Sequence, residues 1–177
     1  RHDYYPTPGK APEVRSGDLT EDAQRRDFSV NALMLEIQPK AGTDVEFEIV
    51  DMVGGVSDIS NKIIRVLHDK SFEDDPARLI RAVRFMVRYG FYFDEQTEIL
   101  FASAIQKDCI RALPLPRLMD ELGKAFTEAD ARQVLTMLFE LGVIPSYFEM
   151  EPCSGNSLIM PPEIKDSIVS VATTFLL

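Results

Sequence analysis

Cysteine is nearly absent. The two residues, Cys109 and Cys153, are too few for a disulfide framework, and their spacing matches no metal-binding pattern. A reducing cytoplasm is therefore the expected location. No run approaches the roughly 18 to 20 apolar residues that a membrane span needs. No charged-then-apolar signal segment opens the chain, so no membrane partner is expected. Positive charge is also in short supply: 19 Lys and Arg stand against 29 Asp and Glu, a net charge of −10. Non-specific nucleic-acid binding runs on phosphate neutralisation, which excludes a uniformly basic surface but not a local basic stripe. Start and stop signals are missing as well. Arg1 follows no initiator Met. The stretch from Pro161 to Leu177 puts Ile164, Ile168, Val171, Ala172 and Phe175 on one helical face and ends without Gly, Pro or a basic last turn. The expectation is a segment excised from a longer chain.

What is present suits a soluble globular fold. With 45% hydrophobic and 27% charged residues, 177 residues suffice for one sizeable core or two small ones. Residues 1–17, rich in Pro and Gly, read as loop or extended strand. Asp18-Leu19-Thr20-Glu21 has capping spacing and predicts a short helix to about Asp27. Val30, Leu33, Met34, Leu35 and Ile37 predict a largely buried strand over residues 28–37. Residues 45–50 alternate with period two, and residues 63–67 are a further short strand. After residue 70 the pattern turns helical, with helices expected over 72–89, 94–106, 115–126 and 129–141, the first stopped by Gly90 and the last by Gly142. The expected fold class is α/β followed by all-α: the end of a sheet-bearing domain, joined near residue 67 to a helical one.

Three motifs carry possible chemistry. In Arg25-Arg26-Asp27-Phe28-Ser29-Val30-Asn31-Ala32, two cations and a carboxylate precede a strand. Arg26 suits phosphate or ribose oxygens, and Asp27 can orient an arginine or accept from a sugar hydroxyl. A solvated helix end with local ion pairs fits the same residues. In Asp51-Met52-Val53-Gly54-Gly55-Val56-Ser57-Asp58, the paired glycine permits positive φ and close backbone approach. It is either a hinge or a tight turn capped by Asp58.

The third motif is Asp74-Asp75-Pro76-Ala77-Arg78-Leu79-Ile80-Arg81-Ala82-Val83-Arg84-Phe85. At about 100° per residue, Arg81, Arg84 and Arg88 form one stripe with Asp75 and Arg78 on its flank. Leu79, Ile80, Val83, Met86 and Val87 take the opposite face. Surface arginines on an ordinary amphipathic helix are one reading. Four Arg and no Lys favour another, because guanidiniums are chosen where bidentate geometry matters. The Asp75/Arg78 pair has a definite capacity. A carboxylate accepts from an exocyclic amine while a guanidinium donates to a ring nitrogen or carbonyl, which matches cytosine and adenine. Guanine and uracil reverse that polarity and would leave buried groups unpaired.

In this order the three motifs resemble motifs B, C and D of the class II tRNA nucleotidyltransferases, which belong with the bacterial poly(A) polymerases. Arg65-Val66-Leu67-His68 and Arg117-Leu118-Met119-Asp120-Glu121-Leu122 are similar to the family too, so the likeness covers residues 1 to about 145. It implies that residues 1–67 are the C-terminal part of a head domain, residues 68–150 a helical neck and residues 151–177 the start of a body. It implies that Arg26 and Asp27 contact triphosphate or ribose, that Asp75 and Arg78 template the base, and that Arg81 and Arg84 support the nucleotide. Gly54-Gly55 would belong to a flexible element. The implied parent adds C and/or A to tRNA 3′ ends from CTP or ATP, with Mg²⁺ as cofactor. The family's Asp-x-Asp metal ligands are expected upstream of Arg1, so the segment alone should be inactive and bind nucleotide weakly at most. Asp74 stands where many members have Glu. A poly(A) polymerase segment, a non-catalytic nucleotide- or RNA-binding module, and a plain helical scaffold remain as alternatives.

Overall fold

The computed structural model describes residues 2–4, 6, 13–40 and 45–150. The apolar face expected between Ile164 and Phe175 lies outside them, as does Cys153. Strands β1 (His2–Tyr4) and β2 (Glu13–Arg15) pair antiparallel. Asp18 caps α1 (Leu19–Gln24): its side chain accepts from the Glu21 N–H at 2.8 Å, and the Glu21 carboxylate accepts from the Asp18 N–H at 2.9 Å. This reciprocal capping box satisfies two orphan donors. The helix ends at Gln24, short of the expected Asp27, and leaves Arg25, Arg26 and Asp27 in the turn that follows.

The buried strand expected over 28–37 is divided. Phe28, fully buried, makes a single antiparallel bridge to Val66. Ser29–Asn31 is one 3-10 turn. Only then does β3 (Met34–Pro39) begin, paired antiparallel with β4 (Val45–Val50). This hairpin is exposed rather than buried. Its register explains the misreading: Leu35 faces Ile49 and Ile37 faces Phe47, while Glu36 faces Glu48 on the other side. One face is therefore apolar, yet among the described residues nothing covers it, and Phe47 stays 59% exposed.

Helix α2 (Gly55–Asn61) has no apolar periodicity to announce it, since Val56 and Ile59 face solvent. It forms because Asp51 gathers its first amides. Oδ1 accepts from the N–H groups of Val53, Gly54 and Gly55 at 3.2, 2.8 and 2.9 Å, and Oδ2 from Val56 at 3.0 Å. Asp51, not Asp58, caps this turn. Asp58 is instead buried against the Ser29 hydroxyl and Arg65. Gly55 must be glycine, because a Cβ there would lie 2.3 Å from the Ser29 carbonyl oxygen.

Strand β5 (Ile63–Ile64), shorter than the expected 63–67, pairs in parallel with β6 (Tyr92–Phe93). The crossover carries α3 (Ser71–Asp74) and α4 (Ala77–Tyr89). One helix expected over 72–89 is thus two. Proline disfavours α conformation in the residue before it, and Asp75, before Pro76, is extended at φ −132° and ψ 90°. Gly90 ends α4 at φ 64°. Three helices follow: α5 (Glu95–Gln106), capped by Asp94, then α6 (Leu115–Phe126) and α7 (Ala131–Glu140), with α8 (Val143–Phe148) beyond Gly142. Leu79, Ile80 and Val83 of α4 share one core with Leu118, Leu122, Val134 and Leu138 of α6 and α7. Each such side chain contributes about 1.5–3 kcal/mol on burial. The observed class is mixed α/β with short strands, then helices, and no described helix is long and apolar enough to cross a membrane.

Candidate functional site

The break at Pro76 positions the site. It separates the acidic α3 from the arginine-bearing α4 and leaves the Asp75 side chain beside the first turn of α4, 5% exposed. Asp75 Oδ1 accepts from the Ala77 N–H at 3.3 Å and from Arg117 Nη2, on α6, at 3.0 Å. Its Oδ2 lies 3.9 Å from Arg81 Nη1. One turn of helix separates Arg81 from Ala77, so the same guanidinium reaches Asp27 with its other nitrogen, Nη2. Burial works against the charge on Arg81, but Asp27 above all, then Glu121 and Asp75, offset this and raise its pKa. Asp27 comes from the turn after α1, 54 residues away in sequence. A continuous chain of charge results: Arg117, Asp75, Arg81, Asp27 and then Arg78, whose Nε is 3.4 Å from Asp27 Oδ1.

Arg78 is the largest fully buried side chain of the described residues, at 1% exposure. A buried guanidinium is costly unless its donors are met. Nη1 donates to Ser71 Oγ at 2.6 Å and approaches His68 Nε2 at 3.2 Å, while Nη2 donates to the Arg25 carbonyl at 2.9 Å. Nε faces Asp27 Oδ1 at 3.4 Å without completing a hydrogen bond of good geometry. The other buried side-chain donor without one, among the described residues, is Arg26 Nε. The remaining donors of Arg26 go to the Asn31 carbonyl at 3.2 Å and to Asp22 at 3.0 Å.

Of the six residues singled out from the sequence, Asp27, Asp75, Arg78 and Arg81 form one cluster. Arg26 lies on its Asp22 and Asn31 side. Arg84 is directed elsewhere: Nη1 donates to Glu121 at 3.1 Å, and Nε and Nη2 donate to Glu128 at 3.1 and 3.0 Å. Arg88 adds two bonds to Glu128 at 2.8 and 2.5 Å, and Lys124 one to Glu121 at 3.0 Å. Burial would raise the Glu128 carboxyl, but the Arg88 and Arg84 bonds outweigh it and hold its pKa below the ordinary value. The expected stripe is thus not a solvent-facing ladder. Arg84 and Arg88 form ion pairs fastening α4 to α6 and to the turn before α7, while Arg81 turns to Asp27 and Asp75.

Sequence spacing did not assign roles to Arg117, His68, Ser71, Glu121 or Glu128. Arg117 and Glu128 sit 42 and 44 residues from their partners Asp75 and Arg84, beyond the reach of any local pattern. The one available signal was that Arg117, Glu121 and His68 fall in stretches that resemble the family. A divalent cation does not fit here. Asp27 and Asp75 are each committed to guanidiniums, and among the described residues no three acidic, His or Cys groups converge as a cation site.

The family described as the poly(A) polymerase head domain matches residues 1–65. An A-adding tRNA nucleotidyltransferase of Aquifex aeolicus is 35% identical over 150 residues, covering 84% of this chain and 18% of that protein. A solved CCA-adding enzyme in an apo form superposes with a TM-score of 0.75 at 35% identity, over 84% of this chain and 34% of that one. A CCA-adding enzyme in complex with CTP gives 0.66 at 34% identity, over 74% of this chain and 30% of the other. The chain spans about a fifth to a third of the length of these proteins. With the three motifs in order, residues of the first and third brought to one cluster, and fold and sequence both alike, the chain belongs to the tRNA nucleotidyltransferase and poly(A) polymerase family.

Proposed function

We propose that this chain is the nucleotide-selecting part of a tRNA 3′-end nucleotidyltransferase that adds C and/or A from CTP or ATP. Residues 1–67 are assigned to the C-terminal part of the head, residues 68–150 to the neck and residues 151–177 to the start of the body. The observation that carries the reading is the convergence of Asp27, Asp75, Arg78 and Arg81, from the turn after α1 and the start of α4, in one cluster. Asp75 accepts from the exocyclic amine of cytosine or adenine, and Arg78 donates to the adjacent ring nitrogen or carbonyl. Guanine and uracil present the opposite polarity and are rejected because buried partners go unmatched. Arg26 and Asp27 meet the triphosphate or ribose, and Arg81 orients both carboxylates. Arg84 supports the nucleotide through its hold on α6, not by touching it. Mg²⁺ is assigned to the Asp-x-Asp expected upstream of Arg1, and the location to the cytoplasm, where tRNA is the RNA partner.

The test is incorporation by the intact polypeptide on a tRNA transcript lacking its 3′ terminus. C and/or A, but neither G nor U, should be added, and Asp75→Ala should lose this choice. The family description of residues 1–65 favours a second reading, poly(A) synthesis. Long A tails on unrelated RNA would establish that reading, and a short defined addition confined to tRNA would remove it.

A further inference from the structure

His68 has no role in the reading above, yet it touches the residue on which that reading depends. It lies between β5 and α3 with a side chain 37% exposed, and its Nε2 is 3.2 Å from Arg78 Nη1. A guanidinium only donates. Nε2 must therefore offer its lone pair, and the neutral ring carries its proton on Nδ1, the side facing Asp74 Oδ2 at 4.0 Å. Three acceptors then define the plane of the Arg78 head: His68 Nε2, Ser71 Oγ and the Arg25 carbonyl.

We propose that His68 is a positioning residue for base selection: as a neutral imidazole it receives Arg78 Nη1 and, with Ser71 and the Arg25 carbonyl, fixes the plane in which this guanidinium meets the base. The proposal rests on the assignment of Arg78 to base selection. Protonation would place an N–H against Nη1, removing the acceptor and setting two cations side by side. The charged groups facing the ring are Arg78 from α4, Asp74 from α3 and Asp69 on its own turn. Burial, and then Arg78, lower the pKa of His68, against the smaller pull of Asp74 and Asp69. The ring is thus neutral at physiological pH and charged only in acid. Base choice acquires a pH dependence that belongs to neither carboxylate.

The experiment is calorimetric titration of the intact polypeptide with ATP, CTP, GTP and UTP at about pH 8 and about pH 5.5, on either side of an ordinary histidine. The wild type should lose at least about tenfold of its preference for the accepted over the rejected bases at the lower pH, the scale of one hydrogen bond to a charged group. His68→Gln, whose amide oxygen accepts without titrating, should keep its preference at both. His68→Asn is the second variant. Titration of the nucleotides themselves is common to all these proteins, so a difference between the profiles belongs to His68. A wild-type preference that does not change once NMR of the His68 ring shows it protonated in the same samples, or that falls equally in His68→Gln, overturns the assignment of His68 alone. No preference in the wild type at about pH 8 overturns the base-selection reading and this proposal with it.

Discussion

Glu128→Gln isolates the contact that fastens α4 to the turn before α7. The native carboxylate is 7% exposed and accepts two bonds from Arg84 and two from Arg88. The Arg84 side chain is 9% exposed, so its bonds carry most of the effect, at about 1.5–3 kcal/mol for a hydrogen bond to a charged group. Arg88 is 41% exposed, and solvent screening reduces its share to a few tenths of a kcal/mol. Glutamine keeps one acceptor oxygen, and Arg84 keeps Glu121. The expected loss is therefore about 2–3 kcal/mol, not the larger cost of stranding a buried charge. At this chain length that lowers Tm by about 4–12 °C. Urea denaturation of the two proteins at neutral pH is the assay. The pH dependence follows in sign. The folded pKa of Glu128 is depressed, so its contribution is fully present above the ordinary carboxylate value of 4.5 and is lost as pH falls through the folded value. The gap between wild type and variant should close in acid. A loss under about 0.5 kcal/mol at neutral pH would refute the buried network.

Gly55→Ala should destabilise by more than the roughly 1 kcal/mol of an ordinary glycine effect, because its Cβ would meet the Ser29 carbonyl at 2.3 Å. Chemical denaturation checks this, and a neutral result would remove the close approach. Asp51→Ala should cost about 1–2 kcal/mol as a lost helix cap, read by the same assay. The Val56 amide first, with the other three, holds the Asp51 carboxyl below its ordinary 3.8, so that stabilisation too is lost only as pH falls below that value. Leu79→Ala, at a fully buried site, should cost about 2–5 kcal/mol. A mild effect there would mean α4 is not the centre of the core.

The helices were legible because their signals are local. Asp94 and Gly90 mark their positions by residue type, and residues 115–126 were read to the residue. Two failures have physical causes. Periodicity reports an apolar face but not whether anything covers it, so Leu35 and Ile37 read as core although they are exposed. The helix expected over 72–89 runs through Pro76, whereas proline acts on the residue before it and holds Asp75 in the extended conformation that turns this carboxylate toward Arg117. Within the site, Asp75, Arg78 and Arg81 were visible as one helix turn. Their pairings with Asp27 and Arg117 were not, because these form through tertiary contacts more than 40 residues distant.

The central claim is that Asp75 and Arg78 choose the base, and binding of CTP, ATP, GTP and UTP to the intact polypeptide by calorimetry tests it most directly. CTP and/or ATP should bind more tightly than GTP and UTP, and Asp75→Ala and Arg78→Ala should each abolish the difference. A preference that survives in both variants would contradict the account.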